Sequence, residues 1–160
     1  MKLFIATIAS VLCVSAFAQS KVAFVSTERI LKESAPAQEA QKTLAGEFSA
    51  RESKLSDSAA EIKRKSDRLE RDGQTLSIAE RQKLQSEITV ADGAFQRERR
   101  NLEEEVQTRR SQLLSAILER ANREIIRIAE SSKIDIVFQE AVWASPGIDI
   151  TARVLEALKR

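Results

Sequence analysis

The sequence predicts a mainly α protein, in which a long antiparallel helical hairpin (a coiled-coil arm) projects from a small β-containing head. Three observations predict this class. Short β-branched segments lie near both ends of the chain, and residues 27–133 between them are charged and contain one proline. Gly73 interrupts this helical run near its middle. Because both ends must meet in one sheet, the helical part must run outward and return, and one central break permits that.

The first eighteen residues have the pattern of a secretory signal peptide. Lys2 precedes an apolar stretch, residues 3–17, which is shorter than the roughly 20 residues of a membrane span. Small residues at positions 16 and 18 predict cleavage after Ala18. Cys13 lies inside the apolar stretch after a bulky leucine, which argues against lipidation. The alternative is an uncleaved N-terminal anchor, and the cleavage pattern favours export.

The composition of the predicted mature chain argues against an enzyme. The full chain has 26 basic and 24 acidic residues, so the loss of Lys2 leaves a net charge of +1. No histidine is present, and the single cysteine, Cys13, lies in the predicted signal. We find no phosphate-binding glycine loop, metal-ligand spacing or nucleophile motif. We therefore expect no catalytic residue, no cofactor and no metal site, and packing or self-association must replace disulfides.

Two strands are predicted for the head. Residues 21–26 and residues 134–139 are β-branched and short, which is typical of strands, and residues 142–144 form a possible third strand. Residues 145–147 (Ser-Pro-Gly) predict a turn, and Asp149 or Thr151 is suited to cap a last helix. The apolar residues expected in the head core and in oligomerisation are Val22, Phe24, Ile134, Ile136, Val137, Phe138, Val154 and Leu158.

The hairpin is supported by the spacing of its apolar residues. The expected seam consists of Leu44, Phe48, Leu55 and Ile62 in the first half and of Ile88, Phe95, Leu102 and Val106 in the second. Paired in reverse order, the two residue numbers of each pair add up to 150, as expected for antiparallel helices of equal rise. Gly73 would supply the helix-ending conformation, and Ser77 with Glu80 predicts a capping box. The alternative is one continuous helix that tolerates a glycine.

The seam of the arm is expected to be only one apolar row wide. The positions where a second row belongs are polar, namely Arg51, Ser58, Ser66, Glu98 and Arg109. Such an arm should be helical but able to bend. Basic and acidic residues balance between positions 35 and 132, which excludes nucleic acid as an expected partner. Residues 113–128 carry a wider apolar face, which we expect to pack against the head and to be a place for self-association.

Several segments resemble the Skp/OmpH family of periplasmic chaperones. They are residues 21–34, the hairpin with Gly73 at its tip, and above all residues 134–158 with the closing "DITARVLEAL". The resemblance implies a jellyfish-like homotrimer in the periplasm that holds unfolded outer-membrane β-barrel proteins between its arms without ATP, prevents their aggregation and passes them to membrane insertion. It also implies a lipopolysaccharide or anionic lipid contact, which maps onto Arg109 and Arg110.

The predicted organisation has three parts. Residues 1–18 are the signal peptide, residues 19–34 and 113–160 form the head and trimerisation body, and residues 35–112 form the arm, with its tip near residues 72–77. An alternative function is an exported trimeric coiled-coil scaffold or spacer of the cell envelope. A spacer would need a continuous, well-packed seam, so the polar interruptions of the second row favour the chaperone.

Overall fold

The computed structural model describes residues 20–160 and confirms the predicted mainly α class. The elements in chain order are β1 (Val22–Phe24), α1 (Thr27–Glu33), α2 (Ala35–Asp72), α3 (Ile78–Ser132), β2 (Ile136–Phe138) and α4 (Thr151–Ala157). The predicted signal peptide and its cleavage site lie outside the described residues. Within residues 20–160, none of the helices combines the length and the apolar character that a membrane span requires.

The two predicted strands form a parallel pair, β1 with β2, and each is shorter than predicted. The prediction of a third strand at residues 142–144 was wrong, because that segment is irregular. The free edge of β1 is used instead by the segment after the turn. The Phe24 N–H donates to the Ile148 carbonyl at 2.8 Å, and the Ile150 N–H donates to the Phe24 carbonyl at 2.9 Å.

The last helix is held against the start of the chain. The predicted turn forms, with the Ile148 N–H donating to the Ser145 carbonyl at 3.1 Å. The Asp149 carboxylate then accepts from the Thr151 N–H at 2.8 Å, which satisfies one of the unpaired donors at the start of α4. Burial raises the pKa of Asp149, but the hydrogen bonds from Thr151 and the charge of Arg29 outweigh it, so the pKa is lowered.

One core joins β1, α1, α4 and the ends of α2 and α3. Its buried members are Ala23, Val25, Ile30, Ala37, Ala40, Ile117, Ala121, Ile125, Ile128, Ile150, Val154 and Leu158. Most of the wide apolar face of residues 113–128 is therefore covered by the chain's own core. The expectation that this face is open for self-association was wrong, and only Ile126 of its large residues is left exposed.

A break before the arm was not predicted. The expected continuous helix from residue 27 is divided at Ser34, which is buried and extended and caps α2 by accepting from the Ala37 N–H at 3.3 Å. Pro36 explains the break, because it has no N–H to donate and its ring would clash with the carbonyl of residue 32. We call residues 20–34 and 113–160 the head and residues 35–112 the arm.

The tip of the arm lies where the sequence predicts it, between the end of α2 at Asp72 and the start of α3 at Ile78. The predicted capping box is present, with the Glu80 N–H donating to the Ser77 hydroxyl at 3.3 Å and the Ser77 N–H donating to the Glu80 carboxylate at 3.0 Å. Gly73 is not in the expected left-handed conformation, since its φ is −59° and its ψ is −24°. Glycine is needed there because a Cβ would clash with the carbonyl oxygen of Leu69.

A Gly73→Ala variant should therefore lose stability although its backbone angles suit alanine. Relieving the clash must shift the end of α2, and we expect the free energy of unfolding to fall by about 1 kcal/mol or more. Gly46→Ala is the matched control, because a Cβ at Gly46 meets nothing within 4 Å and alanine favours the helix interior by about 1 kcal/mol. Chemical unfolding followed by circular dichroism measures both changes, and two stabilised variants would contradict this role of Gly73.

Candidate functional site

The two helices of the arm run antiparallel and are linked by ion pairs. These pairs join Arg51 to Glu98, Lys65 to Glu87 and Arg109 to Glu47, with N–O distances of 3.0, 3.2 and 2.9 Å. The two residue numbers of each pair add up to between 149 and 156, close to the sum that the apolar pairs predict. The outward and returning helices are thus in contact over most of the arm.

The predicted seam residues all lie toward the partner helix, but few are fully covered. Phe48 and Leu102 are buried, and the others are half-buried, namely Leu44, Leu55, Ile62, Ile88, Phe95 and Val106. Leu84 is also buried, and sequence reasoning missed it. Its position four residues before Ile88, on the same side of α3, was the signal that could have placed it.

The middle of the seam is open. A cleft of about 400 Å³ lies between the helices, and its apolar lining consists of Leu55, Ile62, Ala91, Ala94 and Phe95. Two alanines face this space, where larger side chains would fill a tight coiled coil. Missing contacts in such a gap lower the local stability, so this part of the arm can deform at small cost.

Three of the polar residues that interrupt the second apolar row make contacts across the hairpin. Arg51 donates to Glu98 at 3.0 Å and also contacts Glu105, and these hydrogen bonds, first that of Glu105, raise the pKa of Arg51. Arg109 donates from two nitrogens to the two carboxylate oxygens of Glu47, each at 2.9 Å. Exposed pairs of this kind are screened by water and contribute little to stability, so they fix the register more than they strengthen the arm.

This pairing bears on the predicted lipopolysaccharide contact. Arg109 and Arg110 do not form a shared cationic patch, because the Arg109 guanidinium is engaged by Glu47 while Arg110 is exposed. The hydrogen bond with Glu47, followed by its charge, raises the pKa of Arg109. An anionic headgroup could reach Arg110 directly, whereas at Arg109 it would compete with Glu47 for two of the guanidinium nitrogens.

The Arg109–Glu47 pair gives the arm a dependence on pH. The hydrogen bond from Arg109 lowers the pKa of Glu47 in the folded state. Stability from this pair is therefore present above the ordinary glutamate pKa, roughly 4.3, and is lost as the pH falls through the lowered folded value. We expect thermal melts between pH 7 and pH 3 to show this loss in the wild type. Glu47→Gln should show a smaller loss, because other carboxylates with a lowered pKa, such as Asp149, still titrate, whereas Glu52→Gln, an exposed site on the same helix, should show the full loss. An unchanged profile for Glu47→Gln would contradict the assignment.

The predicted head residues divide into two groups. Val154 and Leu158 are buried, Ile134 and Val137 pack at the edge of the core, and Phe24 is half-buried. The remaining three, Val22, Ile136 and Phe138, are 37%, 50% and 50% exposed, so they are not core residues within a single chain, and their expected part in oligomerisation stays a prediction.

The alternation of side chains along a strand explains this division. Val22 lies opposite Ile136 and Phe24 opposite Phe138, so these four share one face of the sheet, while the residues between them face the core. Val142 and Trp143, in the loop after β2, are also largely exposed. We call the surface of Val22, Phe24, Ile136 and Phe138 the outer sheet face.

The described residues offer surfaces on which a partner could bind. Among residues 20–160, no group of histidine, cysteine, aspartate and glutamate is placed to hold a metal ion. The molecule offers a long two-helix arm with a loosely packed middle and an apolar face on a small head. These features are typical of a protein that binds its partners with a hairpin arm.

Comparison with known proteins identifies the family. The family model described as "Outer membrane protein (OmpH-like)" matches residues 21–158. The chain is 28% identical over 157 residues to a protein named "Chaperone protein Skp" from Yersinia enterocolitica, with 96% of each chain covered. It is 31% identical over 145 residues to the protein of that name from Photorhabdus luminescens, with 89% of this chain and 87% of that one covered.

The fold is shared with a solved structure. The crystal structure of an OmpH-like outer membrane chaperone from Caulobacter crescentus superposes with a TM-score of 0.73, covering 88% of this chain and 85% of that one, at 19% identity. That likeness shows the fold alone. With the family match, it confirms the resemblance: the protein belongs to the Skp/OmpH family, a family of chaperones without enzymatic activity.

Proposed function

We propose that the protein is an ATP-independent periplasmic holdase that binds unfolded outer-membrane β-barrel proteins between its arms. In this role it prevents their aggregation and passes them to membrane insertion. The observation that carries the proposal is the loosely packed middle of a long arm in a member of a chaperone family. An arm that bends at small cost can adapt to clients of different size.

The physics of the client fits such an arm. Unfolded barrel strands alternate apolar and polar residues and present unpaired backbone groups, which makes them prone to aggregation. Many weak contacts with a charged, bendable surface would shield these strands without burying them tightly. Release would then need no nucleotide, because each contact breaks at small cost.

Assembly into a trimer is part of the proposal. A two-stranded sheet is marginal on its own, and the outer sheet face leaves Ile136 and Phe138 half exposed. Association of three heads through this face would cover these side chains and bring three arms to one side of the assembly. The outer sheet face replaces residues 113–128 as the expected association surface.

Export to the periplasm rests on the signal pattern of residues 1–18 and on the family. Contact with lipopolysaccharide or an anionic lipid surface would be weak, because the predicted mature chain is nearly neutral and Arg109 is paired with Glu47. Within this contact we expect Arg110 to bear most of the interaction. No nucleic acid, cofactor or metal is part of the proposed function.

A dilution assay tests the holdase. A urea-unfolded eight-stranded membrane β-barrel is diluted into buffer with and without the mature protein, in the absence of nucleotide, and turbidity is followed. We expect the barrel to stay soluble at about one client for each assembly of three chains. A client that precipitates equally in both samples would contradict the proposal and favour the envelope scaffold.

A further inference from the structure

One side of α3 near the tip carries no charge. At 100° per residue, eight residues share an arc of about 140° that contains no acidic or basic side chain. They are Ile78, Ala79, Gln82, Gln85, Ser86, Thr89, Val90 and Gly93, and we call them the neutral face of α3. Leu84, Ile88 and Phe95 point toward α2 from the other side of the helix. The neutral face is therefore directed away from the seam.

The neutral face is open to solvent. Ile78 is 73% exposed and Val90 is 67% exposed, and Gly93 alone among its eight residues is half-buried. Ile78 and Val90 are the large apolar residues that are exposed in the arm, among the residues that the structure describes. Apolar exposure of the arm is thus concentrated on this uncharged surface of α3.

The outward side of α2 at the same height is different. Its exposed residues include Asp57, Lys63, Arg64 and Arg71. Laying a polypeptide on that side would remove several charges from water, which is costly. The neutral face itself carries no charge, and Arg81 at its border is the one charged side chain that lines its groove, so binding there would require less desolvation than on α2.

The neutral face also has the shape and the groups to hold an extended chain. A shallow groove of about 450 Å³ runs along it, lined by Arg81, Gln82, Gln85, Ser86, Thr89 and Val90. The side-chain amides and hydroxyls there carry both donors and acceptors, so they can pair with the unpaired N–H and C=O groups of an extended strand. Val90 offers an apolar contact at one border of the arc.

The area of the face decides between an extended chain and a second arm. From residue 78 to residue 93 the face is about 23 Å long, and a helix is roughly 10 Å wide, so it presents about 230 Å². A stable protein interface needs roughly 800 Å² from each partner. Two arms joined through this face would thus be too weakly held, whereas brief contacts with a long unfolded chain need no such area.

We propose that the neutral face of α3 is the client-contacting side of the distal arm, and that it takes extended, uncharged stretches of unfolded membrane-barrel polypeptide. This inference rests on the proposed holdase function and deepens it. The arms are then oriented in the assembly with α3 facing the enclosed space and the charged side of α2 facing the solvent.

A matched pair of serines tests the proposal. Ser86 lies near the middle of the neutral face, and Ser56 lies on the outward side of α2; both are exposed and both are in long helices. Ser86→Glu and Ser86→Lys are compared with Ser56→Glu and Ser56→Lys in the mature protein. Urea-unfolded eight-stranded barrel is titrated into each variant, and the soluble fraction is measured together with the melting temperature and the mass of each assembly.

We expect both Ser86 variants to hold at least threefold less client than the wild type, with unchanged mass and melting temperature, and both Ser56 variants to match the wild type. Loss with either sign of charge indicates desolvation, not attraction or repulsion. Ser86 variants that hold as much client as the Ser56 variants, while the wild type is active, would overturn the placement alone. A wild type that leaves the client to precipitate would overturn the holdase function and the placement with it.

Discussion

An Ile136→Asp variant is expected to be monomeric at concentrations where the wild type is an oligomer. Ile136 lies on the outer sheet face, opposite Val22 in the parallel pair, and is 50% exposed in the single chain. Association through that face would bury one unpaired carboxylate for each subunit, at a cost of roughly several kcal/mol each. Analytical ultracentrifugation measures the change, and a largely helical spectrum should remain because the side chain does not enter the core.

Gln139→Asp is the control for this variant. Gln139 follows β2 directly, and its amide donates to the Asn122 side chain at 3.3 Å, so it does not belong to the outer sheet face. The control carries the same new charge three residues away and should keep the wild-type mass. Equal masses for Ile136→Asp and the wild type would show that the assembly forms through a different surface.

A Val154→Asp variant is expected to unfold the head. Val154 is fully buried, in α4, within the core that joins both ends of the chain to the base of the arm. A carboxyl group there has no partner, so we expect a loss of at least ~3 kcal/mol. Because the free energy of unfolding of a domain of this size is only about 5–15 kcal/mol, folding at physiological temperature should be strongly impaired.

Ala152→Asp is the control, and it separates the effect of burying a charge from the effect of adding a charge to α4. Ala152 is exposed in the first turn of the same helix, where an acidic side chain suits the helix dipole. Thermal unfolding followed by circular dichroism should place this control within a few degrees of the wild type and Val154→Asp far below it. Similar melting temperatures for the two variants would mean that α4 does not hold the head together.

The arm could be predicted from the sequence because its signals are local and periodic. Apolar residues seven apart indicate a seam, reverse pairing around residue 75 indicates a hairpin, and Ser77 with Glu80 indicates where the returning helix begins. The capping box depends on spacing within one turn and the seam on a repeat of two turns, and the reverse pairing needs only a constant sum of residue numbers. The structure accordingly places the tip between Asp72 and Ile78.

The predictions that were wrong depended on contacts between distant parts of the chain. The strand expected at residues 142–144 does not form, and the edge of β1 is paired instead with residues 148–150. The reason given for Gly73 was wrong because the close approach of the Leu69 carbonyl depends on how α2 ends. Nor does the sequence reveal that Arg109 and Glu47 are paired, since their numbers add up to 156 and not to 150, and a charged side chain on the helix surface has many possible partners.

The mass of the client-bound assembly tests the account most directly. Mature protein is measured by multi-angle light scattering, alone and after dilution of a urea-unfolded eight-stranded barrel into it. We predict the mass of three chains alone, and the mass of three chains plus one client after mixing, in a soluble species that needs no nucleotide. A stable oligomer whose mass does not change while the client precipitates would contradict the account.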